Sequence, residues 1–591
     1  MKKPTLTAKL VVWIIKRFNH RQLVLILSLI VGLLGGLAAV LLKNTVLATK
    51  VFLLDYADIE AGNIIYLITP LLGIFLTVIF VRYVVKDSIS HGVSNVLHAI
   101  SRKNGRLEPH NTYSSMVSST LTVGFGGSVG LEAPVVLTGA SIGSNIGQFL
   151  RLNYKTVTLL IGCGVTAAIA GIFKSPIAAM IFSLEVLMLS LSMWSVIPLL
   201  IAAVAGTTVS SFLMGSQAVF HISMPEAFAF ENIPWYISLG IISGLVSFYF
   251  TKTCMGIESI FSRIRGQFTR LFTGGVILGL LVFLLPPLYG EGYETLKLLL
   301  GGDPTEIARN SFFYGFIDKF WVFALFLLLI LFLKVVAMAV TTGSGGVGGI
   351  FAPSLFVGGV TGFVSGKLLN IFHFIDVPER NFALVGMAGV MAGVMHAPLT
   401  AIFLIAEITG GYQLFVPLII VATISHLTMR YFEPHSIYTK RLAQKGQLIT
   451  HHKDKAVLTL LQLGNVIETD LKTVSPDTTL GELVKVISRS GRNIFPVIDR
   501  NENLTGIVML DYIRDIIFKP DMYDKVTVGE LMRTPLTTVS SNENMESVMR
   551  KFEETNAWNL PVIDEGKYVG FVSKSKIFSE YRKVLLQFTE H

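Results

Sequence analysis

Charge is scarce in this chain: only 15% of its 591 residues are Asp, Glu, Lys or Arg, against 52% that are hydrophobic. That balance excludes a single soluble core of this length, whose surface would need a larger charged share. Cysteine is nearly absent. Cys163 and Cys254 both sit in apolar sequence, which excludes a disulfide framework or a cysteine-held metal and leaves two small buried residues. A nucleophile–base set, a phosphate loop and a metal-spaced cluster are also missing, so neither an enzyme nor a cofactor is expected. The net charge of +9 is modest, and no basic face interleaved with aromatics stands out, which removes nucleic acid as a partner.

What the chain has instead is apolar sequence and 53 glycines, at a mean hydropathy of +0.63. Leu23 to Leu42 is almost continuously apolar. It exceeds a signal-peptide core of roughly 7–15 residues and can span a hydrocarbon layer of about 30 Å, so a retained first span is expected. Before it, Leu10-Val11-Val12-Trp13-Ile14-Ile15 followed by Lys16-Arg17 suits a short interfacial helix. Bases cluster ahead of the first apolar run (Lys2, Lys3, Lys9, Lys16, Arg17, Arg21) and after the last (Lys440, Arg441, Lys445). The positive-inside bias puts both ends of a multi-pass protein in the cytoplasm.

One membrane-grade stretch contains a lone acid, in Gly130-Leu131-Glu132-Ala133-Pro134, preceded by the glycine-rich Gly124-Phe125-Gly126-Gly127-Ser128-Val129. An ionisable group at bilayer depth costs about 2.5–3.5 kcal/mol or more, and persists only by pairing or by lining a polar path. A glycine turn leading into a helix offers bare N–H groups and a positive dipole end, which are ligands for an anion. An acid beside such a site reads as a gate. A second turn, Gly343-Ser344-Gly345-Gly346-Val347-Gly348-Gly349-Ile350-Phe351-Ala352-Pro353, echoes the first, with Pro353 closing it as Pro134 closes the other. Gly171, Pro176 and Glu185 are spaced as Gly393, Pro398 and Glu407 are, and each set follows its own glycine turn at nearly the same distance. Two related halves with broken helices are therefore expected, with the substrate site at their interface.

Past the basic linker around Lys445, His451, His452, Lys453 and Lys455, soluble α/β patterning begins. Thr473-Val474-Ser475-Pro476 leads through Phe495-Pro496-Val497-Ile498-Asp499 to Gly506-Ile507-Val508, and the pattern returns as Thr538-Val539-Ser540, Leu560-Pro561-Val562-Ile563-Asp564 and Gly570-Phe571-Val572. The step from Thr473 to Thr538 equals the step from Pro496 to Pro561, the mark of a tandem repeat. The expected division is residues 1–21 as an N-terminal interfacial segment, 22–440 as a transmembrane domain, 441–466 as linker, and 467–522 and 523–591 as two small modules.

Together these motifs resemble the CLC family of chloride channels and chloride/proton exchangers, followed by a tandem CBS pair. The resemblance implies a polytopic α-helical membrane domain of two inverted-repeat halves with a cytoplasmic α/β pair. It also implies a homodimer in the cell membrane with one pore per subunit, chloride as the substrate and protons as a candidate second one. Position by position, Gly130-Leu131-Glu132-Ala133-Pro134 matches the family's Gly-Arg-Glu-Gly-Pro, which makes Glu132 the gating glutamate, with Leu131 and Ala133 as departures. Gly349-Ile350-Phe351-Ala352-Pro353 matches Gly-x-Phe-x-Pro, which makes the amides of Ile350 and Phe351 anion ligands, and Tyr438 stands where the family places an anion-contacting tyrosine. A phenol donates one hydrogen bond without a full charge and so can hold an anion without trapping it.

Two departures bear on mechanism. The family's Gly-Ser-Gly-Ile-Pro corresponds to Ser90-His91-Gly92-Val93-Ser94, which puts His91 at the anion-coordinating serine unless the loop shifts and Ser90 takes that role. Family exchangers carry a proton-relaying glutamate one position after an acid. Here that acid is Glu185, expected at a cytoplasmic vestibule or a subunit contact, and the relay position is Val186, which cannot carry a proton. Passive or weakly coupled chloride movement is favoured, with an antiporter using another inner route as the alternative. In the CBS pair the family's ligand is an adenine nucleotide. Met509 replaces the hydroxyl residue of the first module, Asp511 comes one place early, and Lys576 replaces the acid of the second beside a retained Ser573. A structural or dimerising role is favoured over nucleotide binding.

Overall fold

The computed structural model describes residues 18–55, 64–87, 89, 92–188, 193–215, 228–301, 304–309, 311, 313–317, 319–444 and 463–589. It divides into two compact units, Met1–Leu448 and Ile449–His591. The segment expected as an interfacial helix, Leu10 to Ile15, lies outside the described residues.

Among the described residues of the first unit, nine helices are long and apolar enough to cross a membrane. The first, α1 (His20–Asp55), carries the whole Leu23–Leu42 run. Leu29, Leu33, Leu37 and Leu41 are exposed along it, while Val31, Ala39 and Leu42 are buried. Leucines exposed once per helical turn suit a face turned to lipid, which asks for no polar partner. The first half continues through α2 (Ile64–Ile79), α3 (Gly92–Arg102), α4 (Asn111–Gly124), α5 (Glu132–Phe149), α6 (Tyr154–Phe173), α7 (Pro176–Glu185) and α8 (Met193–Met214). The second half holds α9 (Ile233–Arg263), α10 (Gln267–Leu284), α11 (Tyr293–Gly301), α12 (Phe320–Gly343), α13 (Phe351–Ile371), α14 (Glu379–Met395), α15 (Pro398–Ile408), α16 (Phe415–Phe432) and α17 (Ile437–Gln444).

The repeat legible in the sequence becomes an exchange of bonds. Helices α6 and α14 end in left-handed residues, Lys174 (φ 56°) and His396 (φ 55°), and Pro176 and Pro398 then open α7 and α15. Glu185, at the end of α7, accepts from the Leu399 amide (3.2 Å), the Thr400 amide (2.8 Å) and the Thr400 hydroxyl (2.7 Å) at the start of α15. Glu407 in α15 answers by accepting from the Ile177 (3.1 Å) and Ala178 (2.8 Å) amides at the start of α7. Each short helix thus has its orphan first-turn amides capped by an acid of the other half, where the helix dipole favours negative charge.

Close helix approach repeats as well. A Cβ on Gly139 would stand 2.2 Å from the Gly164 carbonyl oxygen between α5 and α6, and one on Gly358 would stand 2.4 Å from the Gly386 oxygen between α13 and α14. Small residues let backbones pack where hydrophobic force between helices is weak.

In the second unit, β2 (Ile494–Ile498) pairs antiparallel with β3 (Leu504–Met509), and β5 (Asn559–Asp564) with β6 (Lys567–Ser573). Val474 bridges Val497 in parallel, and at the equivalent place in the second module Val539 of β4 (Val539–Ser540) pairs in parallel with Val562. Even the register shifts recur, at Val497/Ile498 and Val562/Ile563. The helices α18 (Leu480–Ser488) and α21 (Met545–Thr555) are started by side-chain caps from Thr479 and Asn544; between them lie the short α19 (Leu510–Ile513) and α20 (Val528–Leu531), and α22 (Lys574–Thr589) follows. The strand β1 (Ile467–Glu468) joins β6, so the opening residues of the first module complete the sheet of the second.

Candidate functional site

The two glycine turns meet within the membrane unit. Gly130 and Gly349 form a mutual antiparallel pair, with N···O distances of 2.9 and 2.7 Å. Each turn opens on a threonine that braces the other: the Thr341 hydroxyl accepts from the Ser128 amide (3.2 Å) and the Thr122 hydroxyl from the Val347 amide (3.0 Å). Gly126 (φ 97°) and Gly345 (φ 108°) take the left-handed conformation that makes the reversal, which a side chain would strain. The result is two helix starts, α5 at Glu132 and α13 at Phe351, set side by side.

Glu132 is 3% exposed. Its Oε1 accepts from the Tyr293 hydroxyl at 2.9 Å, while Oε2 has no hydrogen-bond partner among the described residues. That oxygen lies against the joined turns: a Cβ on Gly130 would stand 2.0 Å from it and one on Gly349 3.1 Å. The Ala352 amide, in the first turn of α13, and Glu132's own amide both act on the carboxylate. No acceptor takes the Ile350 or Phe351 amides among the described residues. The acid therefore rests where first-turn N–H groups of both halves converge, the environment that binds an anion.

Other groups expected at the site fall nearby. Phe351 is buried, stacked on Phe173 at 5.0 Å between ring centroids. Tyr438 is 4% exposed and feels the charge of Glu132; its carbonyl accepts from the Ser94 hydroxyl of α3 at 3.2 Å. The start of α3 touches the same place, since a Cβ on Gly92 would stand 2.1 Å from the Ala133 oxygen. Ser90 and His91 lie outside the described residues. Val186, expected at the relay position, is buried at the end of α7. Beside it, Glu185, expected at a cytoplasmic vestibule or a subunit contact, caps the start of α15 and so bonds one half to the other.

The sequence reading missed Tyr293, Glu291 and Lys334. Glu291 acts electrostatically on Glu132 and interacts with Lys43, Lys50 and Lys334. Lys334 is fully buried in α12 and donates to the carbonyls of Leu288 (3.3 Å) and Gly290 (2.8 Å). The signal was present: an acid and a tyrosine in Gly290-Glu291-Gly292-Tyr293, and a lone lysine inside the apolar run of α12.

In the second unit a cleft of about 630 Å³ is lined by Glu468, Asp470, Arg492, Asn559, Ser573 and Lys576 among others. Its polar groups are engaged with each other: Ser573 donates to Glu468 at 2.6 Å, and Arg492 pairs with Glu468 (2.6 Å) and Asp470 (3.0 Å). Hydrogen bonds from Arg492 hold the Asp470 carboxyl below its ordinary range. Asp511 pairs with Arg514 on an exposed surface. Among the described residues no group of His, Cys, Asp and Glu is placed to hold a metal.

Comparison with known proteins agrees with this architecture. Residues 72–430 match the family described as voltage gated chloride channel, and residues 463–519 and 528–583 match the CBS domain. The chain is 28% identical over 384 residues to a putative chloride channel protein ClcB-like of Ralstonia nicotianae, covering 64% of this chain and 85% of that protein. It is also 28% identical over 360 residues to the voltage-gated ClC-type chloride channel ClcB of Escherichia coli O9:H4, covering 60% and 81%. Among solved structures, a slow cyanobacterial Cl⁻/H⁺ antiporter superposes with a TM-score of 0.63 at 21% identity, over 72% of this chain and 98% of the other. A CLC-type fluoride/proton antiporter gives 0.58 at 25% identity over 71% and 98%. A eukaryotic CLC transporter gives 0.60 at 16% identity over 94% and 97%, so its likeness extends into the second unit. This chain belongs to the voltage gated chloride channel family, as a multi-pass membrane protein with a C-terminal CBS pair.

Proposed function

We propose that this protein moves chloride across the cell membrane, as a passive channel or weakly coupled transporter gated by Glu132. The observation that carries the proposal is the Glu132 carboxylate, buried among the first-turn amides of α5 and α13 with one oxygen unpartnered. A carboxylate there competes with chloride for the same donors, and a proton removes its charge and its claim on the site. The Ile350 and Phe351 amides and the Tyr438 phenol supply anion ligands without a full positive charge, and His91 or Ser90 is the further anion ligand that the family motif implies. Backbone donors bind chloride without holding it too tightly to leave. The membrane unit works as a homodimer with a pore in each subunit and both termini cytoplasmic, and the CBS pair serves assembly. Adenine nucleotide binding is disfavoured, because Ser573 is bonded to Glu468 and Lys576 stands where the family has its acid.

Val186 favours passive or weakly coupled movement, since an apolar side chain cannot relay a proton. The alternative is a chloride/proton antiporter with another inner proton route, favoured by two similar structures, a Cl⁻/H⁺ and a fluoride/proton antiporter. Paired chloride and proton fluxes from proteoliposomes, with voltage clamped by ionophore, separate the two. Chloride flux without proton movement, altered by Glu132→Gln, is the expected result. Uphill proton movement driven by chloride and lost in Glu132→Gln would establish the antiporter. Fluxes indifferent to Glu132→Gln would overturn the gate.

A further inference from the structure

We propose that Tyr293 is the latch of the Glu132 gate: its hydroxyl holds the carboxylate in the anion site and so sets how readily chloride replaces it. The inference rests on the gating role proposed for Glu132. Its basis is the 2.9 Å hydrogen bond from the Tyr293 hydroxyl to Glu132 Oε1, made between distant parts of the chain by a side chain at the first position of α11.

The segment that presents this hydroxyl is anchored at several points. Lys334, buried in α12, grips the Leu288 and Gly290 carbonyls and sits 5.1 Å from the Phe356 ring centroid. The Gly290 amide donates to the Gly126 carbonyl at 3.3 Å, which ties the segment to the first glycine turn. Tyr289 packs over Gly126, where a Cβ would stand 2.2 Å from its ring. Gly292 (φ 91°) has no room for a side chain against Phe356, with 2.5 Å to a Cβ. A phenol carried on a segment bound this way is presented at a set position, so the bond to Oε1 costs little ordering when the carboxylate returns.

The carboxylate is thereby held by different groups on its two oxygens. Oε1 is held by Tyr293, and Oε2 faces the amide-lined site. When the carboxylate leaves, the phenol loses its charged acceptor and chloride gains the amides. A neutral donor suits a latch, because a lysine or arginine in its place would form a full ion pair and hold the gate shut. The other charged group acting on Glu132 is Glu291, whose like charge opposes the latch and is itself offset by Lys43, Lys50 and Lys334.

The test is chloride flux from proteoliposomes as a function of chloride concentration, for the full chain and for Tyr293→Phe, Glu132→Ala and the double variant. Hydrogen bonds to charged groups are among the stronger ones, so Tyr293→Phe is expected to lower the half-saturating chloride concentration about ten-fold and leave maximal flux near its starting value. In the Glu132→Ala background the same substitution is expected to change nothing, because the latch has no bolt. Equal effects of Tyr293→Phe in both backgrounds would mean a merely structural tyrosine and overturn the latch. So would an inert Tyr293→Phe beside an active Glu132→Ala, leaving the gate in place. If Glu132→Ala is inert as well, the gating role falls and the latch with it.

Discussion

Thr122, Gly126, Gly130 and Glu132 in the first half of the membrane unit stand opposite Thr341, Gly345, Gly349 and Phe351 in the second, every pair separated by the same stretch of chain. The backbones match closely: the residues before the two helices, Leu131 (φ −88°, ψ −8°) and Ile350 (φ −95°, ψ −7°), share one conformation. The side chains at the next position differ completely. One half puts a carboxylate into the shared amide-lined space, and the other puts a phenyl ring onto Phe173 and Phe182. Repetition thus supplies a symmetric set of donors, and one substitution between the halves makes the site asymmetric and titratable.

The largest effect should come from disturbing the two equivalent glycines. An alanine at Gly130 meets the mobile end of Glu132 at 2.0 Å, so Gly130→Ala expels the carboxylate and should change chloride flux about ten-fold, as loss of a charge-assisted bond does. An alanine at Gly349 meets the Ala133 backbone nitrogen at 3.0 Å first, so Gly349→Ala should cost about 1–3 kcal/mol of stability by overpacking instead. Flux assays and thermal melts in detergent read both. Identical phenotypes would break the comparison.

The reciprocal caps sharpen it at smaller scale. Glu185 accepts three bonds and Glu407 two, so Glu185→Ala should destabilise by about 1–2 kcal/mol and Glu407→Ala by less. Melting temperatures in the reverse order would show that bond count does not rank these caps.

The CBS repeat provides the contrast: its modules share a sheet edge through β1, and Glu468 of the first module accepts from the Ser573 hydroxyl ahead of α22, with no reciprocal pair of acids capping helix starts among the described residues. Its charges lie near solvent, and the expected effects are the smallest. Hydrogen bonding to Arg492 depresses the Asp470 carboxyl from 3.8, so this contribution to stability is present above pH 3.8 and is lost as pH falls below it. Arg492→Ala should therefore weaken the soluble unit slightly at neutral pH, with the difference from the parent closing below about pH 4. Limited proteolysis of the full chain across that range measures it. A gap that widens toward low pH would refute the assignment.

Much of this was readable before folding. The apolar runs announced membrane helices because lipid leaves the backbone no other way to satisfy itself. Glu132 was legible because an acid in such a context is costly, and the halves because glycine, proline and glutamate recur at fixed offsets. The CBS strands followed their Pro-Val-Ile-Asp and Gly-led patterns, down to matching register shifts at Val497 and Val562. Glu185 was recognised as a motif residue, expected at a cytoplasmic vestibule or a subunit contact. Nothing local to it shows that its carboxylate reaches the amides of Leu399 and Thr400 in the other half.

By itself the sequence determined which segments are helical, where helices break and that Glu132 lies alone in an apolar stretch, because these follow from neighbouring residues and the solvent around them. Tertiary structure alone decided that the two glycine turns pair with each other, that Glu185 and Glu407 exchange helix starts, and that Tyr293 bonds Glu132 on a segment held by Lys334. Each of these joins residues far apart in the chain. Their partners are chosen by the packing of whole helices, which leaves no periodicity near either residue to be read.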